Sequence, residues 1–270
     1  MGRGIIVKKR RNVIKIFLPV LVVLYSILFT ILVGMAVPEQ NVQWYHYLIE
    51  IVLYIAVIVI TFFFGKKVYS KCFSAFGEYK AEKLSANTLV CSATFIIAFF
   101  ILEQRLLCEL YKMNGNDIVA AIDVETIPEL LVLSLSSVFI APVLEELIFR
   151  YFGLTPYESV KGKVLSLISI SLLFGLLHIH SPYNALAATI DGLLYGATFF
   201  KSKNLLIPIV LHITHNAMVS ITGVLYNMGV GGITINETPS LIFFNNYWTT
   251  GAVIVIIICG LIAWKKPFRN

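Results

Sequence analysis

The chain has 270 residues, of which 58% are hydrophobic and only 13% are charged, and its formal net charge at pH 7 is +6. Soluble globular domains average about 45–50% apolar and about 25% charged residues, whereas the mean hydropathy of this chain is +0.85. The composition excludes an ordinary soluble protein and predicts a multi-pass protein of the cell membrane, with the lipid bilayer as its surroundings.

Apolar stretches long enough to cross a bilayer as helices, for which about 20 residues suffice, recur along the whole chain. In chain order they lie near residues 16–37, 45–64, 84–102, 127–149, 163–180, 183–200, 204–224 and 247–264. The pattern predicts an all-α fold, a polytopic bundle of about eight transmembrane helices.

Lysine and arginine are concentrated in alternate loops. They precede the first span and follow the second, fourth, sixth and last spans, whereas the loops 38–44, 181–182 and 225–246 contain none. The longer acidic loop 103–126 contains two. This asymmetry is the positive-inside pattern, and it predicts that both termini are cytoplasmic. The distribution of basic residues therefore indicates how the chain is oriented in the membrane, and no nucleic-acid partner is expected.

The stretch "APVLEELIFRYFG" (141–153) places two adjacent carboxylates and an arginine in an apolar run, where charges are costly. Neighbouring residues on a helix diverge by about 100°, so Glu145 and Glu146 cannot face the same way. Glu146 and Arg150 are four apart in the favourable order for an ion pair on one face. Glu145 stays outside that pair, available for proton transfer. The alternative is an ion network at a helix end on the cytoplasmic surface.

In "FGLLHIH" (174–180), His178 lies four residues after Phe174, so that the two rings share a helix face. Taken alone, His178 suits a hydrogen-bonded packing role as well as a catalytic one. His180 is expected at the external boundary of the span.

In "LHITHN" (211–216), His212 and Asn216 are four apart and share a face, with His215 on the flank. They could join helices by hydrogen bonds or aim two donors at one oxyanion. Asp191 in "TIDGLLYG" begins a face with two glycines, which favours close helix packing. Together the clusters supply a carboxylate, imidazoles and a carboxamide, a set that suits activation of water and stabilisation of a tetrahedral oxyanion.

Three of these stretches are also motifs: "EELIFR" is EExxxR, "FGLLH" is FxxxH and "HITHN" is HxxxN, in that order on separate hydrophobic segments. Over roughly residues 127–220 the chain resembles the CPBP family. That family groups CAAX prenyl endopeptidases of the second type with bacteriocin-processing and immunity-associated membrane proteins.

The resemblance implies an all-helical intramembrane endopeptidase. It implies that Glu145 and His178 activate the attacking water and that His212 and Asn216 stabilise the oxyanion. The helix geometry separates Glu145 from Glu146 independently, and leaves Glu146 with Arg150 as the supporting pair.

The resemblance also suggests a division of one membrane domain into three parts. These are N-terminal helices with their loops (1–126), a catalytic core (127–224), and an external loop with the last helix (225–270). The expected partner is a peptide or membrane-protein substrate, and the sequence leaves open whether it is a prenylated C-terminal motif, a leader peptide, a signalling peptide or a membrane-protein tail.

Two other classes of function compete with a peptidase. One is a non-catalytic bacteriocin-immunity or interaction protein that keeps the fold. The other is a proton-coupled transporter in which Glu145, His178 and Asp191 form a relay, although no repeat in the hydropathy supports it. The intact set of acid, imidazole and amide groups favours catalysis.

No cofactor is favoured, but zinc is a possible one. Glu145, His178 and His212 could form a His₂Glu site with water as fourth ligand. Closely spaced ligand motifs such as HExxH are absent from the sequence, and carboxamides such as that of Asn216 are poor zinc ligands. Metal-independent catalysis is therefore preferred.

The predicted spans place Glu145 and His178 at different depths. Counted from a cytoplasmic turn near 154–162, the two residues differ by about seven positions, or roughly 10 Å at 1.5 Å per residue. Helix tilt or a later start of the fifth span would have to close this gap.

The charge asymmetry makes a testable prediction about topology. Single cysteines that replace Arg3 or Phe268, in a chain without its native cysteines, should react with an impermeant maleimide only after cells are permeabilised. A cysteine at Asn236, in the base-poor loop 225–246, is the control and should react in intact cells. Labelling of position 3 or 268 in intact cells would contradict cytoplasmic termini.

Overall fold

The structure, a computed structural model, describes residues 81–113, 134–157, 159–179, 182–227 and 246–264, together with isolated positions between 28 and 67. The first two predicted spans, apart from those isolated positions, and the predicted cytoplasmic termini lie outside the described residues. So does His180.

Helices account for all of the regular structure in the described ranges, which contain no strand. In chain order the α-helices are α1 Ala86–Met113, α2 Ala141–Glu146, α3 Val160–Leu177, α4 Pro182–Ser202, α5 Leu206–Asn227 and α6 Asn246–Trp264. Two π-helical segments flank α2, namely π1 Leu135–Ile140 and π2 Leu147–Phe152. The predicted all-α class is confirmed.

The helix α1 extends beyond the predicted end of its span near residue 102 and continues to Met113, through the first part of the expected loop. Two interactions favour this extension. Glu103 is buried and hydrogen-bonded, and Arg105 and Glu109 form an i, i+4 ion pair of 2.9 Å along the helix. Glu103, which the sequence analysis assigned to a loop, therefore lies inside a helix.

Two described stretches, Ala86–Leu107 and Val160–Leu177, are long and apolar enough to cross a membrane. The helical stretches Leu206–Thr222 and Tyr247–Cys259 are apolar but shorter. On α3 the outward face is apolar too, since Val164, Ile168, Leu172 and Leu176 are all exposed. Such a helix, apolar on its outer face as well as its inner one, suits lipid rather than water.

The chain divides into two compact units. The first comprises Met1–Lys83 and Thr126–Ile209, and the second Leu84–Glu125 and Val210–Asn270. A hydrophobic cluster forms the core of the first unit, with members on π2, α3 and α4 and at the ends of neighbouring segments: Leu144, Ile148, Phe149, Leu154, Ile170, Phe174, Ala188 and Phe199.

Within the first unit, α3 and α4 pack against each other closely enough that glycine is required at the crossing. A Cβ added at Gly175 would overlap the Thr189 hydroxyl and lie 2.5 Å from the carbonyl oxygen of Ala185. A Cβ on Gly192 would lie 3.1 Å from Ser171. The close packing expected for the glycine face beside Asp191 is thus confirmed.

The turn between α4 and α5 is fixed by Asn204. Its side-chain oxygen accepts from the amide of Leu206, 2.8 Å away, at the start of α5. Its amide group donates to the carbonyl of Glu82, 2.6 Å away, and the preceding Lys203 has the positive φ of 47° that the turn requires. The start of α5 is therefore held in place within the first unit.

In the second unit, α6 packs along α1. The thiol of Cys259 lies 4.0 Å from the carbonyl oxygen of Cys91, and Ile96, Phe100 and Ala252 are buried. The inner face of α1 therefore carries large apolar side chains at helical spacing, followed on the same face by Glu103.

The close crossing of α3 and α4 predicts that alanine destabilises the protein at Gly175 but not at Gly251. Gly175→Ala should lower the free energy of unfolding by about 1–3 kcal/mol, since the added methyl group overlaps α4. Gly251→Ala is the matched control, because a Cβ there meets nothing within 4 Å, and it should be neutral or slightly stabilising. Thermal unfolding of both variants in detergent measures the difference, and equal effects would contradict the crossing.

Candidate active site

The two adjacent glutamates of the first motif have different surroundings. Glu146 is fully buried, and its Oε1 lies 2.9 Å from Nη1 of Arg150, which is 1% exposed. Glu145 is turned about 100° from Glu146 around the helix axis and is only partly buried. The predicted i, i+4 ion pair is therefore present. It is an interior pair, so the alternative of a surface ion network is wrong for it.

Arg150 joins three segments of the first unit. Its guanidinium carbon lies 4.7 Å from the ring centroid of Phe174 on α3 and 5.3 Å from that of Tyr195 on α4. Its Nη2 donates to the carbonyl of Gly192, 3.4 Å away. A buried charge needs such compensation, because desolvation alone would cost several kcal/mol. The ion pair, the two rings and the carbonyl provide part of it.

Arg150 lies within π2, and all six residues of that segment are buried. A π-helical turn is a rare local departure from α geometry that occurs often at functional sites. Here π2 follows directly after the helix turn that carries Glu145 and Glu146. Six consecutive residues point in all directions around a helix, so the burial of Leu147 to Phe152 means that π2 is covered on all sides.

His178 ends α3, with a backbone φ of −105° and ψ of 25° that leaves the helical region. Its Nδ1 lies 2.8 Å from the carbonyl oxygen of Phe174, and its ring centroid lies 4.6 Å from the Phe174 ring. A carbonyl oxygen can only accept, so Nδ1 carries the hydrogen. In the neutral imidazole Nε2 then bears the lone pair, which can take a proton or bind a metal.

Two contacts define how π2 lies against α3. A Cβ added at Gly153 would lie 3.3 Å from Cδ1 of Ile170, and the ring centroids of Phe149 and Phe174 are 5.2 Å apart. Between these two contacts the residue number falls from 153 to 149 on the first segment and rises from 170 to 174 on α3. The segments are therefore antiparallel, and the first ten residues of α3 extend past the end of π2.

The third motif lies on α5 in the second unit. His212 is buried, with 4% of its surface exposed, and Asn216 is partly buried. They are four residues apart on one helix and therefore project from the same side of it. His215, which the sequence places on the flank of this face, is buried as well.

Glu103 is a buried polar residue that the sequence analysis missed. Its Oε2 lies 2.7 Å from Nε2 of His215, and the ring of Phe100 meets the imidazole edge-on at a centroid distance of 5.3 Å. A signal for it exists in the sequence, because Ile96, Phe100 and Glu103 follow the helical spacing of one buried face. The predicted end of the span at residue 102 obscured that signal.

The site residues predicted from the sequence divide between the two units. Glu145, Glu146, Arg150 and His178 belong to the first unit, and the pair on α5 belongs to the second. The same division applies to the possible zinc ligands, of which Glu145 and His178 lie in the first unit and His212 in the second.

Comparison with known proteins gives one family match. Residues 127–218 match the model of the Rce1-like type II CAAX prenyl endopeptidases. A protein of Mycoplasma capricolum subsp. capricolum, described as an uncharacterized protein, is 32% identical over 204 residues. That alignment covers 68% of this chain, and the chain spans 59% of that protein's length. No solved structure matches the chain.

The family match begins at the residue where the fourth predicted span begins, and it contains all three motifs. It confirms the resemblance inferred from "EELIFR", "FGLLH" and "HITHN". Residues 127–218 are therefore similar to the Rce1-like type II CAAX prenyl endopeptidases.

Proposed function

We propose that the chain is an intramembrane endopeptidase that hydrolyses a peptide bond of a membrane-associated peptide or protein. The family is a peptidase family, and the chain has the groups that hydrolysis needs. The observation that carries the proposal is the separation of the two glutamates. Glu146 forms a buried ion pair with Arg150, whereas Glu145 lies outside that pair.

The antiparallel register of π2 and α3 supports a partnership between Glu145 and His178. The contacts Gly153–Ile170 and Phe149–Phe174 follow steps of four residues in opposite directions. One further step of four reaches Glu145 on one segment and His178 on the other. This extrapolated register supports a similar depth for the two groups, since α3 begins well before its first contact with the segment that follows π2.

In the proposed reaction, Glu145 and His178 remove a proton from a water molecule, whose oxygen attacks the carbonyl carbon of the scissile bond. Nε2 of His178 is the acceptor on the imidazole, since Nδ1 donates to the Phe174 carbonyl. His212 and Asn216 donate hydrogen bonds to the oxyanion that forms. The proton then passes to the amide nitrogen, the C–N bond breaks, and a carboxylate and an amine leave.

Zinc is compatible with part of this set. The Nδ1–H of His178 is fixed by a backbone carbonyl, as in many histidine ligands, so a zinc ion would find Nε2 ready to bind. With Glu145 and His212 as the other ligands, zinc would supply a Lewis acid that lowers the pKa of its water. We favour the metal-independent form because a carboxylate with an imidazole can activate water alone.

The proposed setting is the cell membrane, with about eight spans, cytoplasmic termini, and a peptide or membrane protein as substrate. The family's membrane-embedded character and the two long apolar helices support a membrane location. The description of the family names prenylated CAAX ends as one substrate class. A farnesylated CAAX peptide is therefore the first probe to use.

The two glutamates should respond differently to the same substitution. Glu145→Gln should lower kcat toward a quenched farnesylated CAAX peptide by roughly 10²–10⁴-fold, while the purified protein keeps its melting temperature. Glu146→Gln is the matched control and should lower stability by about 3–5 kcal/mol, since Arg150 loses its buried partner. If the probe is not cleaved, peptides from cells with wild type or Glu145→Gln are compared instead.

Equal losses of activity from both substitutions, with equal melting temperatures, would contradict this division of labour. Peptides that are identical in the two cell types, together with an uncleaved probe, would overturn the peptidase itself.

Metal dependence can be tested on the purified protein. After exhaustive chelation, with metal content measured by mass spectrometry, cleavage should continue at the original rate. The proposed base is the pair of Glu145 and His178, which activates water without a metal. Stoichiometric zinc whose removal abolishes cleavage, and whose return restores it, would reverse this expectation and make Glu145, His178 and His212 its ligands.

A further inference from the structure

The second unit contains a buried polar pair that the proposed reaction does not use. Oε2 of Glu103 on α1 lies 2.7 Å from Nε2 of His215 on α5, and the two residues are 6% and 8% exposed. At this distance the imidazole N–H donates to the carboxylate in a strong, charge-assisted hydrogen bond. Burying such groups among apolar side chains costs free energy, and they are therefore candidates for a functional role.

The pair is held from a second side. Phe100, one turn before Glu103 on α1, presents its ring edge-on to His215 at 5.3 Å and is itself 1% exposed. The imidazole is thus fixed both by a directional hydrogen bond and by a packed ring. Contacts of this type determine how far a helix is rotated about its axis, which apolar contacts alone define less sharply.

His215 occupies a particular place on α5. It precedes Asn216 by one residue and follows His212 by three, so the three side chains leave one short stretch of helix at fixed angles. His212 and His215 differ by about 60° around the axis at 100° per residue. Whatever fixes His215 against α1 therefore fixes the directions of the Cα–Cβ bonds of His212 and Asn216.

We propose that Glu103 and His215 are positioning residues: their hydrogen bond sets the rotation of α5 and so orients His212 and Asn216 for the oxyanion. This inference rests on the proposed peptidase function. Misplacement of catalytic groups by about 1 Å can cost about 10²-fold in rate. Loss of the pair should therefore reduce kcat more than it affects substrate binding.

The test compares Glu103→Gln with Glu109→Gln, a substitution of the same kind on the same helix at a half-exposed residue whose partner, Arg105, is also on α1. With the farnesylated CAAX peptide, Glu103→Gln should lower kcat about 10–100-fold and leave KM within about twofold. Glu103→Asp should recover part of the loss. Glu109→Gln should change neither constant.

A second measurement needs no substrate. The chain has five histidines, so the imidazole signals of ¹⁵N-histidine-labelled protein can be assigned by single substitutions. Glu103→Gln should shift the signal of His212 as well as that of His215, and Glu109→Gln should shift neither. This readout reports orientation of the α5 side chains in the folded protein, separately from overall stability.

The outcomes separate the two proposals. A shift of the His212 signal, with a wild type that cleaves neither the probe nor cellular peptides, would overturn the peptidase function and retain the orienting role of the pair. An unchanged His212 signal and an unchanged kcat in Glu103→Gln would overturn the positioning role while the peptidase stands. A lower melting temperature of Glu103→Gln with an unchanged kcat would also overturn the positioning role.

Discussion

The first unit depends on one interaction, the buried ion pair between Glu146 and Arg150. Both groups are almost completely withdrawn from solvent, and a pair in such a place needs further contacts that compensate for its desolvation. Contacts of Arg150 to two aromatic rings and to a backbone carbonyl on neighbouring helices supply part of that compensation. The pair therefore fixes π2, α3 and α4 relative to one another.

This constraint explains why the motif contains two glutamates. One carboxylate is needed to neutralise the arginine, and the helix turns the other by about 100°, away from the pair. Glu145 is thus the sequence neighbour of a residue in the buried pair, yet it lies outside that pair. Catalytic groups benefit from that arrangement, since precision of placement comes from the packing around them.

Local features of the site could be predicted from the sequence, and long-range ones could not. The Glu146–Arg150 pair follows from i, i+4 spacing, and the glycine-rich face of α4 indicated close packing. The register between π2 and α3 could not be predicted, because it depends on how far the linker and the start of α3 extend before contact. Glu103 and His215 are 112 positions apart, and no spacing rule connects them.

The two units use buried polar pairs in comparable ways. Apolar attraction has no preferred direction, whereas a hydrogen bond between buried charged or polar groups has one good geometry. Glu146–Arg150 supplies that geometry in the first unit and Glu103–His215 in the second. In each unit a proposed catalytic residue, Glu145 or Asn216, is the immediate neighbour of the paired one. In the proposed site, each buried pair would thus supply directional contacts, and the proposed reactive group would be one residue away from it.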